Sequence, residues 1–132
     1  MHMEQTPQEI AVDYAARWER AWNSHGALAT VQLYAPDSVL VGGAVAVGRS
    51  EIERALAFIF SQGWRRISIK VVNARAVGGL VLVVSEFSAT GSGPTGGRIL
   101  HGKSTHALVR VDNTWLSAMH TAINSAPTPV AT

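Results

Sequence analysis

Cysteine is absent from these 132 residues. Disulfides, zinc–thiolate centres and thiol nucleophiles are therefore excluded, and the redox compartment is left undetermined. Charge is also scarce: Asp, Glu, Lys and Arg make up only 15% of the chain, for a formal net charge of +2. Soluble domains carry about 25%, so the composition predicts an apolar face covered by a second copy. No basic cluster exceeds Arg65-Arg66, which argues against a nucleic-acid partner. No apolar run approaches the roughly 18–20 residues of a membrane span. Met1 to Gln5 lack the apolar stretch of a signal peptide. The expectation is a soluble, cytoplasmic protein with no membrane contact. Neither an H-x-H pair nor an H-E-x-x-H helix occurs, so no metal site is expected.

What the chain does contain is helical pattern first and strand pattern second. Thr6-Pro7-Gln8-Glu9 is a helix start: Thr6 accepts an amide, Pro7 suits the first turn and Glu9 closes a capping box. Ile10, Tyr14, Trp18 and Trp22 then recur every four residues as one apolar stripe. Asn23 to Gly26 breaks this helix, and a second runs from Ala27 to Ala35. Ser38 to Val47 reads as two short strands around Gly42-Gly43. Ser50 to Glu53 reads as another capping box, before a helix that ends at Gly63. Four strands follow over 66–77, 80–89, 99–111 and 115–124, rich in Val, Ile and Thr. The expected layout is a flexible N-terminus over 1–5, one domain over 6–124 and a disordered tail over 125–132.

Three segments carry a resemblance. The first is Trp18-x-x-Ala21-Trp22-Asn23, with a break and then Leu33-Tyr34-Ala35-Pro36-Asp37. The second is Gly48-Arg49-Ser50-Glu51-Ile52. The third is Val109 to Trp115 with His120 beyond it. In their order and spacing the chain resembles the SnoaL-like branch of the nuclear transport factor 2-like superfamily. The resemblance implies an α+β fold of the cystatin-like cone or α+β-barrel type. In it a curved, mostly antiparallel sheet wraps around three N-terminal helices. It also implies an apolar pocket and a homodimer packed through the outer sheet face. Members include steroid isomerases, polyketide cyclases, dehydratases and limonene epoxide hydrolase.

The steroid-isomerase apparatus does not carry over. Its base would fall at Gly42, its oxyanion tyrosine at Trp18 and its second acid near Ala107. Gly97 to Ser104 spells G-x-x-x-x-G-K-S, but a strand pattern follows it where a phosphate loop must open a helix. It is read as a strand, and no cofactor is expected. Glu86 lies mid-strand, and alternation turns it away from Ser85 and Phe87. His120 is the candidate for catalysis, because a neutral imidazole moves a proton near pH 7; the bland alternative is a structural core histidine. It is read as sharing a face with Ala118 and Ala122, while His106 is read as facing outward, opposite Thr105.

The resemblance places the pocket lining at Trp18, Trp22, Tyr34, Val41, Ala55 and Ile59. Ser85, Phe87, Thr105, Ala118 and His120 complete it. The expected partner is a small hydrophobic or polycyclic molecule. Two readings compete with simple binding. One is an enzyme of the cyclase, isomerase or hydratase type, using His120 with hydroxyl helpers. The other is a protein-interaction module, although nothing in the sequence marks a peptide-binding surface.

Overall fold

The computed structural model describes residues 4–130. Helix α1 spans Pro7–His25. Its start is the expected capping box: Glu9 N–H donates to Thr6 Oγ1 at 3.1 Å, and Thr6 N–H donates to Glu9 Oε1 at 2.9 Å. Such a cap stabilises a helix by about 1 kcal/mol. The buried face of α1 carries Ile10, Tyr14, Trp18 and Trp22, as the four-residue spacing requires.

The second helix is shorter than its pattern suggests. Helix α2 covers only Ala27–Thr30, a single 3₁₀ turn follows over Val31–Leu33, and strand β1 begins at Tyr34 and runs to Val41. Tyr34 is thus a strand residue. Strand β2, Val45–Val47, returns antiparallel to β1 across the glycine turn. Helix α3, Gly48–Ser61, starts two residues before Ser50 of the expected box. Its N-cap is Val47, with no side-chain cap; Glu51 Oε1 instead accepts Val47 N–H at 3.0 Å. The Arg49 guanidinium donates to the Tyr34 carbonyl at 2.8 Å, tying this helix start to β1.

The other strands are β3 (Trp64–Val77), β4 (Leu80–Gly91), β5 (Arg98–Val111), β6 (Thr114–Asn124) and β7 (Thr128–Pro129). The sheet order is β2-β1-β6-β5-β4-β3, with β7 paired to β5. Among the described residues only the β1–β6 pair is parallel, and the sheet does not close on itself. The fold is α+β: an open, curved, mixed sheet of seven strands behind three helices. In place of the disorder expected after residue 124, Thr128 and Pro129 pair with Ile99 and Arg98. Residues 1–3 of the expected flexible N-terminus lie outside the described residues, as do 131–132.

The polar face of α1 also meets the sheet. The Asn23 amide both donates to the Ile67 carbonyl (3.0 Å) and accepts from Ile67 N–H (2.8 Å), while Glu19 accepts from Ile69 N–H (3.0 Å). These groups satisfy backbone on β3 that has no partner strand. The core includes Tyr14, Trp18, Trp22, Val31, Ile52, Leu56, Val83 and Leu108 and packs α1 and α3 against the sheet.

Two features of register decide what faces inward. On β5 the even-numbered residues Leu100, Ser104 and Leu108 are buried, whereas Thr105 is exposed. On β6 a bulge slips the pairing between Ala107↔Met119 and Leu108↔Ser117, leaving Ala118 without an opposite number. Ser117 and His120, three apart, consequently both point into the core.

Gly102, of the G-x-x-x-x-G-K-S match, lies inside β5. A Cβ there would meet the Phe87 ring at 2.3 Å and the Ile123 carbonyl oxygen at 2.6 Å. The glycine exists so that Phe87 can lie across the sheet. Gly102→Ala is expected to lower the unfolding free energy by about 1–3 kcal/mol. Combining it with Phe87→Ala should recover part of that loss relative to the sum of the singles, in urea melts of all four chains.

Candidate functional site

Between α1, α3 and the sheet lies a cavity of about 720 Å³. That is within the size range of small-molecule sites. Its deep end is formed by Tyr14, Trp18, Leu40, Val83, His106 and His120. Its mouth is marked by exposed lining residues: Gly42, Gly43 and Ala44 of the β1–β2 turn, Arg54, Phe58, Ile59 and Gln62 of α3 and its end, and Asn124. No Asp or Glu lines it.

The indoles of Trp18 and Trp22 stack with centroids 5.3 Å apart and 18° between planes, forming an aromatic wall. The Trp22 Nε1–H is anchored on the Trp64 carbonyl at 2.8 Å, and Phe60 meets Trp22 edge-on. Trp18 Nε1–H donates to the Tyr34 hydroxyl at 3.2 Å, and that hydroxyl lies 2.7 Å from His120 Nδ1. Tyr34 has no exposed surface. It therefore stands behind the wall and holds two of the cavity's residues in place.

The second imidazole is the one the sequence turned outward. His106 faces inward, with its ring stacked on His120 at 3.9 Å and 21°. Its Nδ1 is 2.8 Å from Ser117 Oγ, which also contacts the Met119 carbonyl at 3.1 Å. The Tyr14 ring meets it edge-on at 5.1 Å. Ser85 and Ser104, directly opposite each other on β4 and β5, add two hydroxyls to the lining.

Burial sets the protonation of these groups. It pushes the His120 imidazole down from 6.5 to about 3. Burial, and next the neighbouring His120, hold His106 well below 6.5. Burial drives the Tyr34 phenol well above its ordinary range, only partly offset by the Trp18 hydrogen bond. For Tyr14 burial again dominates in the same direction. At neutral pH the deep end holds two neutral imidazoles and two neutral phenols, so it is polar without being charged.

Of the expected lining, Trp18, Trp22, Ala55, Ile59, Ser85, Phe87 and His120 line the cavity. Tyr34, Val41, Thr105 and Ala118 do not. Tyr34 is enclosed behind Trp18, Thr105 lies on the opposite sheet face and Ala118 is the bulge residue. The expected inward Thr105 and outward His106 are reversed together, because they are neighbours on one strand. The signal was in the sequence: Lys103 and Thr105 share a face, as do Ser104 and His106, and a lone lysine marks the outward one. Likewise His106, and not its neighbour Ala107, faces the cavity. Glu86 is exposed, as its alternation with Ser85 requires.

No protein-family profile matches the chain, and no curated protein matches it in sequence. Similarity appears in three dimensions. A ketosteroid isomerase-like protein from Erwinia carotovora atroseptica SCRI1043 superposes with a TM-score of 0.76 at 17% identity, over 89% of this chain and 95% of that one. An NTF-2-like protein of unknown function from Shewanella oneidensis MR-1 gives 0.74 at 16%, over 89% and 99%. A hexachlorocyclohexane dehydrochlorinase gives 0.71 at 11%, over 94% and 89%. The chain has the nuclear transport factor 2-like fold. The likeness read from the sequence thus holds at the level of architecture. The cavity carries Gly42 and Trp18 in its lining, where a steroid-isomerase apparatus would need a carboxylate and a phenol.

A depressed histidine pKa makes stability fall with acid. The folded state excludes a proton that the unfolded chain accepts below about pH 6.5. The stabilisation from a neutral His120 is complete above that pH and is lost as pH falls toward 3. For His120 alone the loss on going from pH 7.5 to 5.5 is about 1 kcal/mol. Urea melts should show that loss in the native chain and a smaller one in His120→Gln.

Proposed function

We propose that this protein binds a small, largely apolar molecule in the cavity between α1, α3 and the sheet. The observation that carries the reading is the combination of the cavity's size with its chemistry. About 720 Å³ is lined by indoles, aliphatic side chains and neutral polar groups, with Arg54 at the mouth and no carboxylate. Apolar lining supplies affinity through removal of ligand surface from water, and a few fixed polar groups orient the ligand.

An enzymatic role of the cyclase, isomerase or hydratase kind rests on the inward imidazoles. Both are held neutral and are weak bases, because burial penalises the imidazolium. Proton abstraction is most efficient when the base titrates near the working pH, and His120 does not. Tyr34 buttresses His120, but no acidic partner faces the imidazole pair from within the cavity. Binding is accordingly the reading favoured over catalysis.

Assembly as a homodimer through the outer sheet face belongs to the same proposal. That face presents Leu80, Leu82 and Val84 on β4, which lie opposite Val109, Ala107 and Thr105 on β5. Met119 and Ile123 of β6 extend it, at 48% and 71% exposure. An apolar group of this kind, bordered by Glu86 and Lys103 on the same face, fits a second copy on a chain with so little charge. Sedimentation velocity at micromolar concentration should give a dimer, and Leu82→Arg should give a folded monomer; a native chain that sediments as a monomer removes this part of the proposal.

The binding claim is checked with a neutral fluorescent probe, N-phenyl-1-naphthylamine. Saturable binding is expected, with energy transfer from Trp18 and Trp22. Ala55→Trp, which fills the cavity from α3, should weaken it at least about tenfold without lowering the melting temperature. Unsaturable binding, or the same affinity in Ala55→Trp, would count against the cavity as a ligand site.

A further inference from the structure

Two hydrogen positions at the cavity floor are fixed by the groups around them. The Tyr34 oxygen accepts the Trp18 indole N–H, a group that only donates. The Tyr34 proton then goes to the other partner of that buried hydroxyl, His120 Nδ1 at 2.7 Å. His120 therefore carries its own proton on Nε2. Within β6, the Met119 carbonyl only accepts, and it takes the Ser117 proton at 3.1 Å. The Ser117 oxygen is left to accept from His106 Nδ1 at 2.8 Å. His106 therefore carries its proton on Nδ1 and a bare lone pair on Nε2.

The two rings cannot satisfy each other. Stacked at 3.9 Å and 21°, each directs its nitrogens within its own plane and past its neighbour. Neither Nε2 has a protein partner among the described residues. Neither is among the fully enclosed unpaired polar atoms, which are Arg17 Nε and Ser38 Oγ. Both imidazoles line the cavity, so both Nε2 atoms open onto it. Rings this close place the two atoms within reach of one small polar group. The hydroxyls of Ser85 and Ser104 rotate and serve as donor or acceptor, so they do not set the polarity.

We infer that the stacked pair His106 and His120 is a recognition element of fixed polarity, one acceptor beside one donor, for a neutral ligand with a donor and an acceptor side by side. A carboxamide or lactam on an apolar body has that edge, as does an un-ionised carboxylic acid. An ionised carboxylate offers acceptors alone and sets negative charge against the His106 lone pair. An ammonium offers donors alone and leaves the His120 N–H unmet. This rests on the cavity being a ligand site, and the test separates the two claims.

The probes are 2-naphthamide, its near-isostere 2-acetonaphthone, which keeps the acceptor and lacks the donor, and 2-methylnaphthalene, which lacks both. In the native chain the amide should bind at least about tenfold tighter than the ketone, since a lone pair left unmet in the cavity is penalised. His106→Leu should bring amide and ketone within about twofold of each other. His120→Leu should weaken both toward the hydrocarbon. Should the variants not fold, long-range ¹H–¹⁵N correlation spectra of the native chain at pH 7.5 decide independently. They should show His106 protonated at Nδ1 and His120 at Nε2. Equal affinity for amide and ketone, or the same tautomer on both histidines, overturns the inference while leaving the cavity reading intact. Failure of all three compounds to bind, the hydrocarbon included, overturns both.

Discussion

The Tyr34 hydroxyl is the contact on which the interior is organised. It sits at the start of β1, without exposed surface, and bonds to Trp18 of α1 and His120 of β6. These elements meet at the one parallel junction in the sheet, where β1 runs beside β6. A buried hydroxyl must satisfy its hydrogen-bonding capacity inside the protein, so the position of each of the three side chains constrains the other two. The Tyr34 carbonyl extends the arrangement, since Arg49 holds it at the start of α3. One residue therefore ties the helix that walls the cavity, the strand that floors it and the helix that borders its mouth.

The same economy explains why the cavity is polar at depth yet uncharged. Each inward imidazole is bonded on its far side to a neutral partner: His120 to a phenol, His106 to a serine. Burial then removes the charged forms from consideration near neutral pH. The apolar walls and the lack of acid are therefore two aspects of one environment. A carboxylate placed beside these imidazoles would raise their pKa values and change the character of the site.

The fold was legible because its cues are local. The capping box at Thr6, the four-residue aromatic spacing of α1 and the turn at Gly42-Gly43 each report on a few neighbouring residues, and β3 to β6 lie within two residues of their expected limits. The site was legible where it lies on α1, α3 and β4, whose faces follow from simple periodicity. It was not legible where two strands depart from a plain count. The bulge at Ala118 shifts the parity of β6, and its cause lies in pairing with β5, which no local pattern reports. Thr105 and His106 were exchanged because alternation defines two faces without saying which is inside; Lys103 carried that information. Tyr34 was placed on the lining because its strand starts where a helix was read. Ser117 and the partner role of Tyr34 emerge only from contacts between residues far apart in the chain.

The pairing of Asn23 and Glu19 with Ile67 and Ile69 has a consequence for how copies of this chain meet. β3 is the terminal strand of an open sheet, and a bare edge of that kind recruits strands from other molecules. Here the part of that backbone at Ile67 and Ile69 is already engaged by side chains of α1. The opposite border, β2, is three residues long and offers little to extend. Growth of the sheet by lateral addition, the route to fibrous aggregates, is obstructed at both rims. Edge-to-edge contact between copies is thereby disfavoured.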